Sequence, residues 1–156
     1  MERSIDLLSA KEVIDRFNLT TLEGEGGFWA PLERTEFGNS ILFLTTELDA
    51  SAWHRLNENE SWSHFAGASI TLHTLNKSEY SLHTLDRNST SIHHMVPAGT
   101  WMAAESTGRW SLVICTLAPA FTGMELATEE DFAQMCKKNP AIEKLHHLLA
   151  KEHGTL

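Results

Sequence analysis

Between Phe28 and Leu126 the chain is a succession of short apolar stretches separated by turn residues, and no other feature constrains its fold so tightly. Ile41-Leu42-Phe43-Leu44-Thr45 reads as a strand covered on both faces. Residues 69–75 and 80–85 flank the polar stretch Asn76-Lys77-Ser78-Glu79 and read as a hairpin. Residues 91–96 and 111–118 read as further strands. Many short strands at even spacing predict a sandwich or a barrel, and a jelly roll is the common closed form.

Helical signals lie only at the two ends. Ser9 and Glu12 form a capping box, Leu8 and Val13 sit at staple positions, and Val13, Ile14 and Phe17 make an apolar stripe. Gly24-Glu25-Gly26-Gly27 then has to be loop, because glycine weakens regular structure. Near the other end Thr128 caps a helix carrying Phe132, Met135 and Cys136. Asn139-Pro140 restarts a second one, with Ile142, Leu145, Leu148 and Leu149 as its buried stripe. No domain boundary is visible. The expectation is one domain over 1–156, with a β barrel at about 22–127 and a helical tail, 128–153, packed outside it.

Composition narrows the setting. A chain of 156 residues suits one core. The net charge of −9 argues against a nucleic-acid partner. No apolar run is long enough to span a bilayer. The stretch Met1-Glu2-Arg3-Ser4-Ile5-Asp6 lacks the apolar segment of a signal peptide, so a cytoplasmic location is expected. Two cysteines, Cys115 and Cys136, are too few for a disulfide framework and are expected as free thiols.

The residues that carry chemistry are His54 and Glu60, followed by Gly67 and by Pro97-Ala98-Gly99. They lie within Ser51-Ala52-Trp53-His54-Arg55, Glu60-Ser61-Trp62 and Val96-Pro97-Ala98-Gly99-Thr100-Trp101, with Cys115-Thr116-Leu117-Ala118-Pro119-Ala120-Phe121 further on. These motifs, in this order, resemble the cupin-5 type of the cupin superfamily, a family described as a domain of unknown function. Glu25-Gly26-Gly27-Phe28 and Glu125-Leu126-Ala127 match its flanking motifs. The resemblance implies an all-β fold, the double-stranded β-helix or jelly-roll barrel, usually paired as a homodimer. It also implies a pocket inside the barrel lined by motif residues. The chain departs from the usual metal-binding pattern of cupins at Leu56 and Met102, where ligand histidines are expected; relatives commonly carry Gln at the position of Met102.

Three function classes follow. The first is a small-molecule-binding cupin with metal-free isomerase- or epimerase-type proton chemistry on a sugar or keto-acid-like metabolite. In it His54 and Glu60 are an acid/base pair, and Phe28, Arg55, Trp62, His64 and Met102 bind the ligand. The second is a metal-dependent, dioxygenase-like oxidoreductase with an atypical ligand set. No metal is firmly expected, but His54, Glu60 and Met102 are the candidate ligands, and a thioether favours a soft ion. His64 shares a strand face with Glu60 at roughly 13 Å, near the limit for one shared ion. The third is a storage or scaffold cupin with a vestigial pocket, in which His54 and Glu60 simply hydrogen-bond each other. His73 and His83 would face each other if the hairpin closes symmetrically. Arg55 alternates away from the face of His54.

Overall fold

The computed structural model describes residues 2–151; Met1 and the last two positions of the expected tail, 152 and 153, lie outside them. In chain order the strands are β1 (Thr20–Thr21), β2 (Phe28–Arg34), β3 (Asn39–Thr46), β4 (Ser51–Leu56), β5 (Asn59–Gly67) and β6 (Ile70–Asn76). They continue with β7 (Glu79–Leu85), β8 (His93–Val96), β9 (Trp101–Ser106), β10 (Trp110–Ala118) and β11 (Met124–Leu126). They form two antiparallel sheets, ordered β1-β2-β3-β10-β5-β8 and β11-β4-β9-β6-β7. Consecutive strands β4 and β5 therefore belong to opposite sheets, as do β9 and β10.

Alternation along each strand sorts its residues to two faces. Phe43, Trp62, Val113, Cys115 and Leu117 meet Leu56, Ile70, Leu72, Met102 and Ala104 between the sheets. On the outside, helix α1 (Ala10–Phe17) sets Val13 against Leu42, Leu44, Leu112 and Trp110. Its Ser9–Glu12 capping box is formed in both directions. Helix α2 (Glu129–Lys138) and the 3-10 segment Pro140–Leu148 cover the other sheet, packing Phe132, Met135, Ile142 and Leu145 on Trp53, Leu75, Trp101 and Ala103. The Thr128 cap forms as expected, reciprocated by Asp131. The second tail element is 3-10 and breaks at Leu145 (φ −106°). There the Leu145 carbonyl accepts a hydrogen bond from Trp53 Nε1 at 3.3 Å. No helix among the described residues is long and apolar enough to cross a membrane.

The hairpin corrects one expectation. Asn76 pairs with Glu79, so the turn is the two residues Lys77-Ser78, with Lys77 at φ +57°. That register sets His73 opposite Leu82 and His83 opposite Leu72. A slip of one residue changes the face, so the two histidines point to opposite sides. His73 turns outward to Tyr80 (2.8 Å) and Glu105 (3.2 Å). His83 turns inward and stacks on His94 of β8, with ring centroids 3.6 Å apart. The stack closes the seam where the end strands of the two sheets meet.

Burial holds both stacked imidazoles below the ordinary 6.5, and the charges of His83 and His93 push His94 further down. Unfolded histidines take up protons at 6.5, whereas these folded ones do so only at lower pH. Acidification therefore feeds protons to the unfolded state first, and stability falls as pH drops below about 6.5. Urea denaturation at pH 7.5 and 5.5 is expected to show that loss. It should be smaller in His83→Gln/His94→Gln than in the natural chain; an equal loss would show that the stack does not contribute.

Candidate functional site

A cavity of about 250 Å³ opens between the sheets, with His54, Glu25, Glu60, Trp62 and Cys115 among its lining residues. Its walls are apolar: Leu22, Trp29, Ile41, Phe43, Leu56 and Leu117 contribute most of them. Around the rim stand Glu33, Arg34, Asn39 and Phe121.

His54 comes from the middle of β4. Its neighbour Trp53 anchors outward to the tail, so strand alternation turns the imidazole inward, where it is 2 % exposed. Its Nδ1 lies 2.7 Å from the Ala52 carbonyl oxygen. A carbonyl only accepts, so Nδ1 carries a hydrogen. Nε2 lies 3.1 Å from Glu25 Oε1, and Ser51 Oγ donates to that same oxygen at 2.7 Å. An unprotonated Nε2 facing a carboxylate would oppose two acceptors. The contact therefore places a proton between Nε2 and Oε1.

Glu25 reaches this point from the glycine loop. Gly26 at φ +94° and Gly27 at φ +74° adopt left-handed backbone. A Cβ on Gly26 would come within 2.5 Å of the Ala50 carbonyl, and one on Gly27 within 2.7 Å of the Phe43 ring. The loop is tied down by Ala52 N–H donating to the Glu25 carbonyl at 2.8 Å and by Gly27 N–H donating to Asp49 Oδ1 at 3.1 Å. These glycines allow the close approach that buries the Glu25 carboxyl against β4.

Glu60 projects from β5, on the facing sheet, and is 6 % exposed. Burial, then the charge of Glu25 and, more weakly, that of Glu58 push its pKa up to about 8; the Trp62 indole N–H acts in the opposite direction. That N–H lies near enough to favour the carboxylate yet makes no proper hydrogen bond: Glu60 Oε1 and Trp62 Nε1 are both buried without a partner. At neutral pH Glu60 is a carboxylic acid. Cys115, opposite Trp62 in the β5–β10 register, has its thiol pushed well above the ordinary range by burial and by the charges of Glu60 and Glu25.

The expected site residues divide on this geometry. His54, Glu60 and Trp62 line one cavity. His54 and Glu60 are not a hydrogen-bonded pair: they sit on different sheets, and the partner of His54 is Glu25. Met102 is the register partner of His54 and faces the same way, but it is packed in the core, 1 % exposed, and does not reach the cavity. Phe28 pairs with Leu44 on the outer face and packs beneath α1, and its neighbour Trp29 takes the inner position. Arg55 points outward, bidentate to Glu125 at 2.8 and 2.9 Å and 4.3 Å above the Trp101 ring. His64 accepts from Arg87 N–H at Nδ1 (2.9 Å) and donates from Nε2 to the Ala68 carbonyl (2.8 Å), so both nitrogens are committed to structure. The expectation missed Glu25, Ser51, Trp29 and a Cys115 that lines the cavity. A carboxylate held inside a glycine run was the available signal for Glu25.

The donor set does not fit a resident metal. Both nitrogens of His54 are engaged, Met102 is elsewhere, and among the described residues no group of three His, Cys, Asp or Glu side chains is arranged to hold an ion.

Solved structures with the same arrangement include a protein from Shewanella oneidensis, at 26% identity and TM-score 0.80, covering 93% of this chain and 99% of that one. A hypothetical protein from Leishmania major is similar at 23% identity and TM-score 0.79, covering 93% and 100%. A cupin 2 conserved barrel domain protein from Rhodopseudomonas palustris shares the fold at 16% identity and TM-score 0.58, covering 85% and 86%. No protein of curated function matches the chain. The two-sheet barrel, the inward-facing motif residues and a family profile matching residues 11–128 agree: the chain belongs to the family described as Cupin superfamily (DUF985).

Proposed function

We propose that this cupin binds a small carbonyl compound in the barrel cavity and moves a proton on it without a metal, in the manner of an isomerase. The observation that carries the reading is the pair of unpartnered buried atoms, Glu60 Oε1 and Trp62 Nε1, in a ligand-sized cavity. Glu25 Oε2 makes no hydrogen bond among the described residues, while Oε1 is held by Ser51 and His54. With the shared proton on His54, Glu25 offers Oε2 as base. It takes a proton from the carbon next to the carbonyl as Glu60 gives its own proton to the carbonyl oxygen. Return of a proton to carbon and of the hydroxyl proton to Glu60 completes an isomerisation. Two carboxyl groups kept in opposite protonation states are the usual means of dividing acid from base.

A thermal-shift screen of carbonyl compounds tests the binding. A ligand at a hundredfold its dissociation constant stabilises by about 2.7 kcal/mol. The shift is expected in the natural chain and not in Ile41→Trp, which fills the cavity from a half-buried, inward-facing position. No shift with any compound would leave the vestigial-pocket reading. Proton chemistry is tested by NMR in D2O: exchange of the α-hydrogen of a bound compound should vanish in Glu25→Gln. Copper, iron and zinc are expected not to bind stoichiometrically, and metal binding abolished by His54→Ala would favour the oxidoreductase reading instead.

The same reading takes the molecule as a homodimer. Phe65 on β5, Ile92 just before β8 and Met95 on β8 are large apolar side chains left exposed along one end of a sheet. Light scattering should give a mass near twice 17.5 kDa, and a value near 17.5 kDa would contradict it.

A further inference from the structure

We infer that the cavity takes a neutral, largely apolar compound bearing a single carbonyl oxygen, bound head-first against Trp62 Nε1 and Glu60. The inference rests on the cavity being a binding site and goes further by naming the chemistry that fits it.

Consider first the charges. The cation in the lining is Arg34, and its Nη2 donates to the Phe121 carbonyl at 2.9 Å, while Asn39 Oδ1 accepts from Phe121 N–H at 2.7 Å. These rim groups hold the loop at Phe121, and they do not converge on the floor. An anionic head, such as a carboxylate or phosphate, would reach the floor without a counter-charge and beside two carboxyl groups. A cationic head would meet a Glu25 oxygen already held by Ser51 and His54, and a Glu60 that is protonated below about pH 8. A sugar carries hydroxyls on every side, and the apolar walls would leave most of them unpaired.

The floor then sets the head group. Trp62 Nε1 can only donate. The carboxylic acid of Glu60 has one O–H to donate, and nothing in the protein takes it at Oε1. Trp62 and Glu60 line the same cavity, and two neighbouring donors suit an oxygen with two lone pairs and no hydrogen of its own, which is a carbonyl. The volume of about 250 Å³ accommodates about ten non-hydrogen atoms, scaled from a cavity that holds benzene.

The binding step also gains a pH dependence of definite sign. A ligand that accepts from the Glu60 O–H binds the protonated form, so affinity is constant below about pH 8 and falls about tenfold per unit above it.

The test is calorimetric titration of the full chain with probes of one length: 2-octanone, 2-octanol, octane, octanoate and octylammonium. The expected result is tightest binding of 2-octanone, with octanoate and octylammonium at least about tenfold weaker, corresponding to about 1.4 kcal/mol. Trp62→Phe should weaken the ketone and leave octane unchanged. Glu60→Gln, whose amide still donates, should abolish the fall above pH 8. Binding of octane, octanol or either ion as tightly as the ketone overturns the assignment of the head group while leaving the cavity a binding site. If no probe binds, octane included, both the assignment and the binding reading fall.

Discussion

Glu60→Gln is expected to stabilise the protein by on the order of 3–5 kcal/mol at pH 9 and by less than about 1 kcal/mol at pH 5. The sign follows from where the proton resides. The folded carboxyl titrates near 8 and the unfolded one near 4.5. Between those values the folded chain keeps a proton that the unfolded chain has released, so stability falls as pH rises through the window and levels off above 8. Glutamine has nearly the same shape and nothing to ionise, so its advantage grows over the same window. Urea midpoints of both proteins at pH 5, 7 and 9 measure it. A difference that does not change with pH would mean that Glu60 is solvated and ordinary.

The second large effect concerns the pair behind it. Glu25→Ala leaves the Ser51 hydroxyl and a protonated Nε2 without their acceptor, and His54→Ala leaves a buried carboxyl without its partner. Each is expected to cost about 3–5 kcal/mol, because breaking a buried pair strands the survivor. Glu25→Leu/His54→Leu removes both polar groups and should cost clearly less than the sum of the single changes. Equilibrium unfolding of the four proteins closes the cycle. Additive losses would show that the 3.1 Å contact carries no coupling and that His54 and Glu25 do not share a proton.

Much of the architecture was legible because it rests on local rules. Short apolar runs between turn residues announced β3, β6, β7 and β10, the Ser9–Glu12 box announced α1, and spaced motifs announced the barrel. The facing of the two hairpin histidines was misjudged by one position: any symmetric closure about Lys77-Ser78 pairs residues whose numbers sum to 155, which sets His73 opposite Leu82 and turns His83 to the inner face with Leu72. The site divides in the same way. The inward turn of His54, Glu60 and Trp62 follows from period-two alternation within single strands. The pairing of His54 with Glu25 joins residues 29 positions apart through a loop whose path depends on positive φ at two glycines. Met102 shows the limit of motif position: it occupies the place of a ligand and shares a face with His54, yet the core between the sheets absorbs it.

The proton on Glu60 bears on three parts of the function at once: the neutral cavity floor, the acid, and the head group that the apolar walls and the Trp62 N–H also favour. A carbon-13 NMR titration of the glutamate side-chain carboxyls, with the Glu60 signal assigned by its loss in Glu60→Gln, reads that proton directly. A midpoint near 8 is expected. A midpoint near the ordinary 4.5 would place a charged carboxylate on the cavity floor at neutral pH and contradict the proposed acid, the neutral ligand and the pH-dependent stability together.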